Sequence, residues 1–201
     1  METPFLLNRH HTYYDGKNIK LQIYTIKDCS VKQKEYEQYQ GKEIPKQIPN
    51  LGYVRILTGK SQMTVTTPVM VCPFGFNKQT GAMALQFTNL QTDPTMNAFF
   101  EFIQKLEFQW MKFLGLSEDD SDLFISQIKY DKQERYDPNL SVKIPFKHNR
   151  YDVDIRTTDK EASVTRIYNF SKVQCDIYLD NLWKFNERYV CKWKVRKVLI
   201  L

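Results

Sequence analysis

Apolar and polar residues alternate with period two along most of this chain, and one central stretch breaks the rhythm. The segments KLQIYTIK (20–27), LGYVRILTG (51–59), QMTVTTPVMV (62–71) and AMALQFTNL (82–90) read as strands. Pro68 cannot donate to a ladder, so the middle of the third is expected at an edge or a bulge. The alternation resumes in LSVKIPF (140–146), RYDVDIR (150–156), KVQCDIYLDNLWKF (172–185) and RYVCKWKVRKVLIL (188–201). In the last pair, Val173, Cys175, Ile177 and Leu179, and then Tyr189, Cys191, Trp193 and Val195, share the inward parity. Gln174, Asp176, Tyr178 and Asp180, and then Lys192, Lys194 and Arg196, fall on the other face. A hairpin-length loop through Phe185, Asn186, Glu187 and Arg188 joins the two.

The period changes to 3.6 between Asp93 and Gly115. Asp93 is placed to cap, Pro94 suits the first helical position, and Gly115 suits the residue after the end. Phe99, Ile103, Leu106, Trp110 and Phe113 recur at helical spacing, so with Phe100 and Phe102 they are expected to form the helix-to-sheet core. Ser117 with Asp120 three residues on resembles a capping box and predicts a second, shorter helix running to about Ile128. Residues 29–49 are polar, charged and closed by two prolines, which suits a surface loop or a short exposed helix. Strands, then helices, then strands fit a sandwich, a split α+β fold or a five-stranded barrel. A barrel with its helix between the third and fourth strands is the arrangement of an OB-fold. The organisation read from this is an N-terminal arm over residues 1–50, with one added strand, followed by a single domain over 51–201.

Composition narrows the function. Lys and Arg number 29 against 23 Asp and Glu, a net charge of +6 that suits a polyanionic partner. Seven glycines are too few for a Gly-rich phosphate cradle. Cys29, Cys72, Cys175 and Cys191 form no C-x-x-C pair and have no histidine at zinc-ligand spacing. The first 20 residues contain no signal-peptide core and no run is apolar enough to span a bilayer, so a reduced, non-secreted protein without membrane contact is expected.

Chemistry is sparse. His10, His11 and His148 are scattered, and no metalloprotease, deaminase, P-loop or nucleophile-elbow motif occurs. Glu118, Asp119, Asp120 and Asp122 suit a helix N-terminus, and Asp152 and Asp154 suit cross-strand ion pairs. No catalytic residue, metal or cofactor is expected.

Binding features are denser. Lys192, Lys194 and Arg196 share one strand face, and Lys143, Lys147, Arg150 and Arg156 are interleaved with Phe146 and Tyr151. Cations that track phosphates beside aromatic faces that stack bases are what a single-strand-binding surface uses. A solvated strand face that blunts an edge is the other reading of the same lysines. Tyr178 lies on the polar face of its strand, and Trp183 sits near the hairpin end. The turn CPFGFNKQTG (72–81) places Phe74 and Phe76 around Gly75, with Lys78 two positions on. Phe74 is expected to pack beneath the turn, and Phe76 and Lys78 to face a ligand.

The order TPVMVCPFGF (67–76), a Phe-rich helix, YDPNLSVKIPF (136–146) and SKVQCDIYLDNLWKFNERYVCKWKVRKV (171–198) resembles the OB-fold single-stranded-DNA-binding-like proteins of nucleocytoplasmic large DNA viruses. The likeness spans about residues 51–200 and rests on the TP-x-M-x-x-PFG element and on Trp183, Asn186, Tyr189, Cys191, Trp193, Lys194 and Val195. It implies a mainly β chain with some α structure: a small OB-fold-like barrel with one long and one short helix inserted between strands. It further implies a non-enzymatic single-stranded DNA-binding protein of viral replication or repair, acting in the cytoplasm or nucleus of an infected cell. RNA is the alternative nucleic acid, replication proteins are the implied protein partners, and self-association stays open. The nucleic-acid-binding residues would be Phe76, Lys78, Lys143, Lys147, Arg150, Tyr151, Tyr178, Trp183, Lys192, Lys194 and Arg196. The phage-type relatives carry an acidic C-terminal tail for partner recruitment, whereas this chain ends KVRKVLIL. The apolar VLIL end is the cue for the alternative, a virion structural or assembly protein that uses the same barrel for protein contacts.

Overall fold

A computed structural model describes residues 29–31, 53–58, 61–62, 64–158, 160–185 and 188–201. Its first half contains β1 (Cys29–Val31), β2 (Tyr53–Thr58), β3 (Ser61–Gln62), β4 (Thr64–Thr66), β5 (Met70–Cys72), β6 (Ala82–Gln86) and α1 (Pro94–Phe113). A 3-10 turn (Glu118–Leu123) then leads to β7 (Phe124–Ile125), β8 (Ile128–Lys129), β9 (Asn139–Lys143), β10 (Phe146–Lys147), β11 (Arg150–Tyr151) and β12 (Asp154–Thr157). A second 3-10 turn (Val164–Arg166) precedes the long strands β13 (Ser171–Phe185) and β14 (Arg188–Ile200).

The ladders close a five-stranded ring, β5–β6–β9–β14–β13, because β13 pairs with both β14 and β5. Only β9 and β14 run parallel within it. This is an OB-fold-like barrel. Pro68 splits the first ring strand into β4 and β5, both paired with β13, as its missing N–H requires. β2 pairs with β13 at Asn181–Trp183, beyond the ring, and carries β1 on its far side. The helix therefore connects the second and third strands of the ring, not the third and fourth, because the strand over 51–59 is an addition to the hairpin. The expected strand over 20–27 lies outside the described residues. β1 is a strand where a loop or helix over 29–49 was expected. RYDVDIR divides into β11 and β12, which have different partners.

The inward parity holds for the residues expected in the core of the last two strands. Val173, Cys175, Ile177, Leu179, Cys191, Trp193 and Val195 are fully buried. Two irregularities bend the long hairpin, between Asp176 and Ile177 and between Leu179 and Leu182. Such bulges increase twist and allow a long two-stranded ribbon to join a small barrel. They also shift parity: Leu182 points inward and Trp183 becomes 39% exposed. Asp176, expected on the polar face, is buried between Thr66 and Lys197 in register and accepts a 2.7 Å hydrogen bond from the Thr66 hydroxyl. The apolar terminus belongs to the barrel, since Val198 is buried and Ile200 packs on the core.

α1 plugs one side of the barrel with Phe99, Phe102, Ile103, Leu106 and Trp110. Asp93 caps it by accepting from the Thr95 and Met96 amides, and Gly115 takes φ +71° after its end. Phe100 is half-buried and packs edge-on against Phe87 at 5.0 Å. The second helix is shorter than expected: a 3-10 turn ending at Leu123, capped by Asp120 accepting from Ser117, followed directly by β7 and β8.

Glu107 is the helix's buried carboxylate, accepting from the Gln127 amide at 2.7 Å and the Ser126 hydroxyl at 2.6 Å. Burial raises its pKa above the ordinary glutamate range despite these bonds. The folded state then binds the proton more tightly than the unfolded chain, so stability falls as pH rises from the unfolded to the folded pKa. Glu107→Gln keeps an acceptor for Gln127 and removes this ionisation. Thermal melts are expected to show the variant gaining on wild type as pH rises through that window, with a constant difference on either side of it. A constant difference at all pH values would remove Glu107 from the linkage.

Candidate nucleic-acid interface

The outer face of β6, β9 and β14 forms a continuous trough. Its floor is low, because the outward residues Ala82, Ala84 and Ser141 are small. At one end a depression of about 390 Å³ is bounded by Phe74, Asn77, Lys129 and Asn139. A middle section of about 220 Å³ lies between Thr80, Gln127, Lys143 and Lys192. The far section, about 810 Å³, opens between Lys143, Phe146 and Lys147 on one wall and Trp183, Val190, Lys192 and Lys194 on the other. Neighbouring sections share Thr80, Ala82, Ser141, Gln127, Lys143 and Lys192.

Positive side chains predominate along the trough. Lys129, Lys143, Lys147, Lys192 and Lys194 line it, and none of the described residues that line it is acidic. Lys143 and Lys194 are in direct register across the parallel β9–β14 pair. Like charges side by side on neighbouring strands destabilise a sheet, and an anion lying over both would relieve the repulsion. Exposed aromatic faces stand at the ends: Phe74 is 73% exposed, and Phe146 and Trp183 flank the wide section.

The turn that carries Phe74 is rigid. Gly75 takes φ +62°, and a Cβ there would meet the Ile167 carbonyl oxygen at 2.8 Å and the Tyr168 carbonyl carbon at 2.9 Å. The Phe76 amide donates to the Ile167 carbonyl at 3.0 Å. The Cys72 thiol donates to the Gly75 carbonyl at 3.4 Å, and burial pushes its pKa up to about 11. This close approach overturns the expectation that Phe74 packs beneath the turn. Phe74 is thrown outward, while Phe76 is half-buried and packs edge-on against Tyr151 at 4.9 Å.

The trough brings together five of the residues expected from sequence: Lys143, Lys147, Trp183, Lys192 and Lys194. The other six lie elsewhere. Tyr151 is a buttress, packed between Phe76 and Phe146 (5.0 Å), with its hydroxyl donating to the Lys78 carbonyl at 3.1 Å. Arg150 lies on the exposed β10–β11 hairpin. Arg196 stacks over the Tyr178 ring at 5.0 Å, on the outer face of β13 and β14 beside the trough wall. Lys78 lines a separate depression behind Phe74. Lys147 is bonded to Asp152 at 2.8 Å, and that lysine holds the Asp152 carboxyl below its usual range. Asp154 pairs with Arg156 at 3.4 Å. Lys129, Phe74 and Phe146 were not anticipated as binding residues. Interleaving with Lys143 and Lys147 signalled Phe146, but Lys129 sits in a two-residue strand with no pattern to mark it.

No protein-family model and no curated protein sequence matches the chain. Among solved structures, it is similar to the single-stranded DNA-binding protein from bacteriophage Enc34 in complex with ssDNA. The TM-score is 0.47 at 13% identity, covering 80% of this chain and 96% of that one. It is also similar to gp2.5, a single-stranded DNA-binding protein encoded by bacteriophage T7. There the TM-score is 0.44 at 11% identity, covering 69% and 91% of the two chains. A C-terminally truncated form of the Enc34 protein gives 0.43 at 15% identity, covering 75% and 86%.

Proposed function

We propose that this protein binds single-stranded DNA without catalysis, holding the strand in the trough across β6, β9 and β14, in the replication or repair of a viral genome. The observation that carries the reading is the trough itself: five lysines and no carboxylate among the described residues that line it, and exposed aromatic faces at both ends. In OB-folds, the face of the second and third strands, flanked by the first-to-second loop and the fourth-to-fifth hairpin, takes oligonucleotides. Here those positions are β6 and β9, the turn carrying Phe74, and the hairpin carrying Trp183. Lys129, Lys143, Lys192 and Lys194 neutralise phosphates, and Phe74, Phe146 and Trp183 stack bases. A duplex already stacks its bases inward and offers none to these rings. RNA, which shares phosphates and base faces, is the competing ligand.

Fluorescence anisotropy of a labelled oligo-dT tests this, with a duplex of equal length as competitor, at low and at physiological salt. Tight, salt-sensitive binding that duplex does not displace is expected. Absence of binding at micromolar protein in low salt would overturn the reading and favour the barrel as a protein-contact module.

A further inference from the structure

The trough does not end at Phe74. Phe74 and Gly75 also line a second depression, of about 450 Å³, on the other side of the turn. Its walls include Phe74, Phe76, Lys78, Thr165, Tyr168 and Asn169, with no carboxylate among the described residues that line it. Tyr168 is 62% exposed. Arg166 and Lys172, both exposed, flank the same segment.

This second surface is built as rigidly as the turn it abuts. The Tyr168 amide donates to the Ser171 hydroxyl at 2.9 Å, and the Ser171 amide donates back to the Tyr168 carbonyl at 3.2 Å. The neighbouring Ile167 carbonyl accepts from the Phe76 amide, and the Phe170 amide donates to the Cys72 carbonyl at 2.8 Å. Residues 167–170 are thus tied to both sides of the Phe74 turn. An exposed ring on fixed backbone loses little freedom when a ligand settles on it.

We propose that the nucleic-acid strand leaves the trough over Phe74 and continues into this depression, where Tyr168 stacks a further base and Lys78 meets its phosphate. The inference rests on the single-strand reading of the trough. It gives Lys78 a role that the trough does not, and it adds Tyr168, which no sequence pattern marked. The occupant is the same strand because Phe74 is a wall of both spaces and because each is lined by basic and aromatic side chains, Lys78 and Tyr168 in the second.

A ladder of oligo-dT from about 4 to about 16 nucleotides, the range of OB-fold site sizes, separates the two claims. Wild type, Tyr168→Ala, Lys78→Ala and the trough variant Lys192→Ala are titrated at each length. The Tyr168 and Lys78 side chains are exposed, so unchanged thermal melts are expected for both variants. The expected result is that Tyr168→Ala and Lys78→Ala match wild type on the shortest oligomers. On the longest they bind about tenfold more weakly, while Lys192→Ala is weaker at every length. Tyr168→Ala matching wild type at all lengths, with Lys192→Ala still impaired, would overturn the extension and leave the trough standing. Equal weakening at all lengths would overturn it too, by placing Tyr168 in support of the trough. No wild-type binding at any length would overturn both readings.

Discussion

Replacing Lys143, Lys192 and Lys194 together by alanine is expected to lower affinity for single-stranded DNA by on the order of a hundredfold at low salt. The plot of log affinity against log salt should also become shallower by about 2, from about 0.7 per phosphate contact on a single strand. The three side chains share the trough wall, and Lys143 and Lys194 stand in direct register. The three side chains lie on the outer face of the sheet, and thermal melts of variant and wild type are compared alongside. A loss of binding in thermal melts indistinguishable from wild type then reads as lost contact and not lost structure. Lys105→Ala is the control: Lys105 lies on the exposed side of α1, bonded to Glu101 at 2.9 Å, away from the trough. An unchanged slope in the triple variant, or an equal change in the control, would mean that phosphates do not run along this face.

The same trough shows which parts of the architecture were legible in the chain. Strict alternation in Lys192, Lys194 and Arg196 placed them outside because Cys191, Trp193 and Val195 must face the core, and two of the three line the trough. Arg196 does not, because the ladder shifts beside it and its guanidinium settles on Tyr178. Trp183 reached the surface through a bulge that alternation has no means of announcing. The third-to-fourth position of the helix failed for a similar reason: β2 has the pattern of a barrel strand, and only its pairing with the end of β13 shows that it stands outside the ring. Asp176 failed because polarity stood in for exposure, whereas a neighbouring Thr66 hydroxyl holds it in the interior. Lys129 carried no signal, since its position depends on a short strand laid beside β9. The phenylalanine turn was recognised as special, but which ring pointed outward depended on a segment about 90 residues further along the chain.

That segment makes Gly75 the position with the largest expected effect on stability. Gly75→Ala should destabilise the fold by about 3 kcal/mol: roughly 1 for an L side chain in the left-handed region, and about 2 for overpacking. The overpacking is severe because the nearest atoms are backbone. The Ile167 carbonyl oxygen at 2.8 Å and the Tyr168 carbonyl carbon at 2.9 Å cannot move aside by changing rotamer. Relieving the clash means opening the bond from the Phe76 amide to Ile167, which would let Phe74 swing away from the trough. Gly81 supplies the internal comparison. It takes φ +68°, but its nearest neighbours are the Ile144 oxygen at 3.3 Å and the flexible end of Lys143 at 3.7 Å. Gly81→Ala therefore carries the left-handed cost and a milder backbone contact, about 1–2 kcal/mol in all. Chemical denaturation of both variants separates conformation from contact. Equal losses would show that only the backbone angle matters at Gly75, and that the close approach to residues 167–169 does not hold the turn. A larger loss at Gly75, with single-strand affinity weakened in the surviving folded protein, would tie the geometry of the turn to the binding surface that it carries.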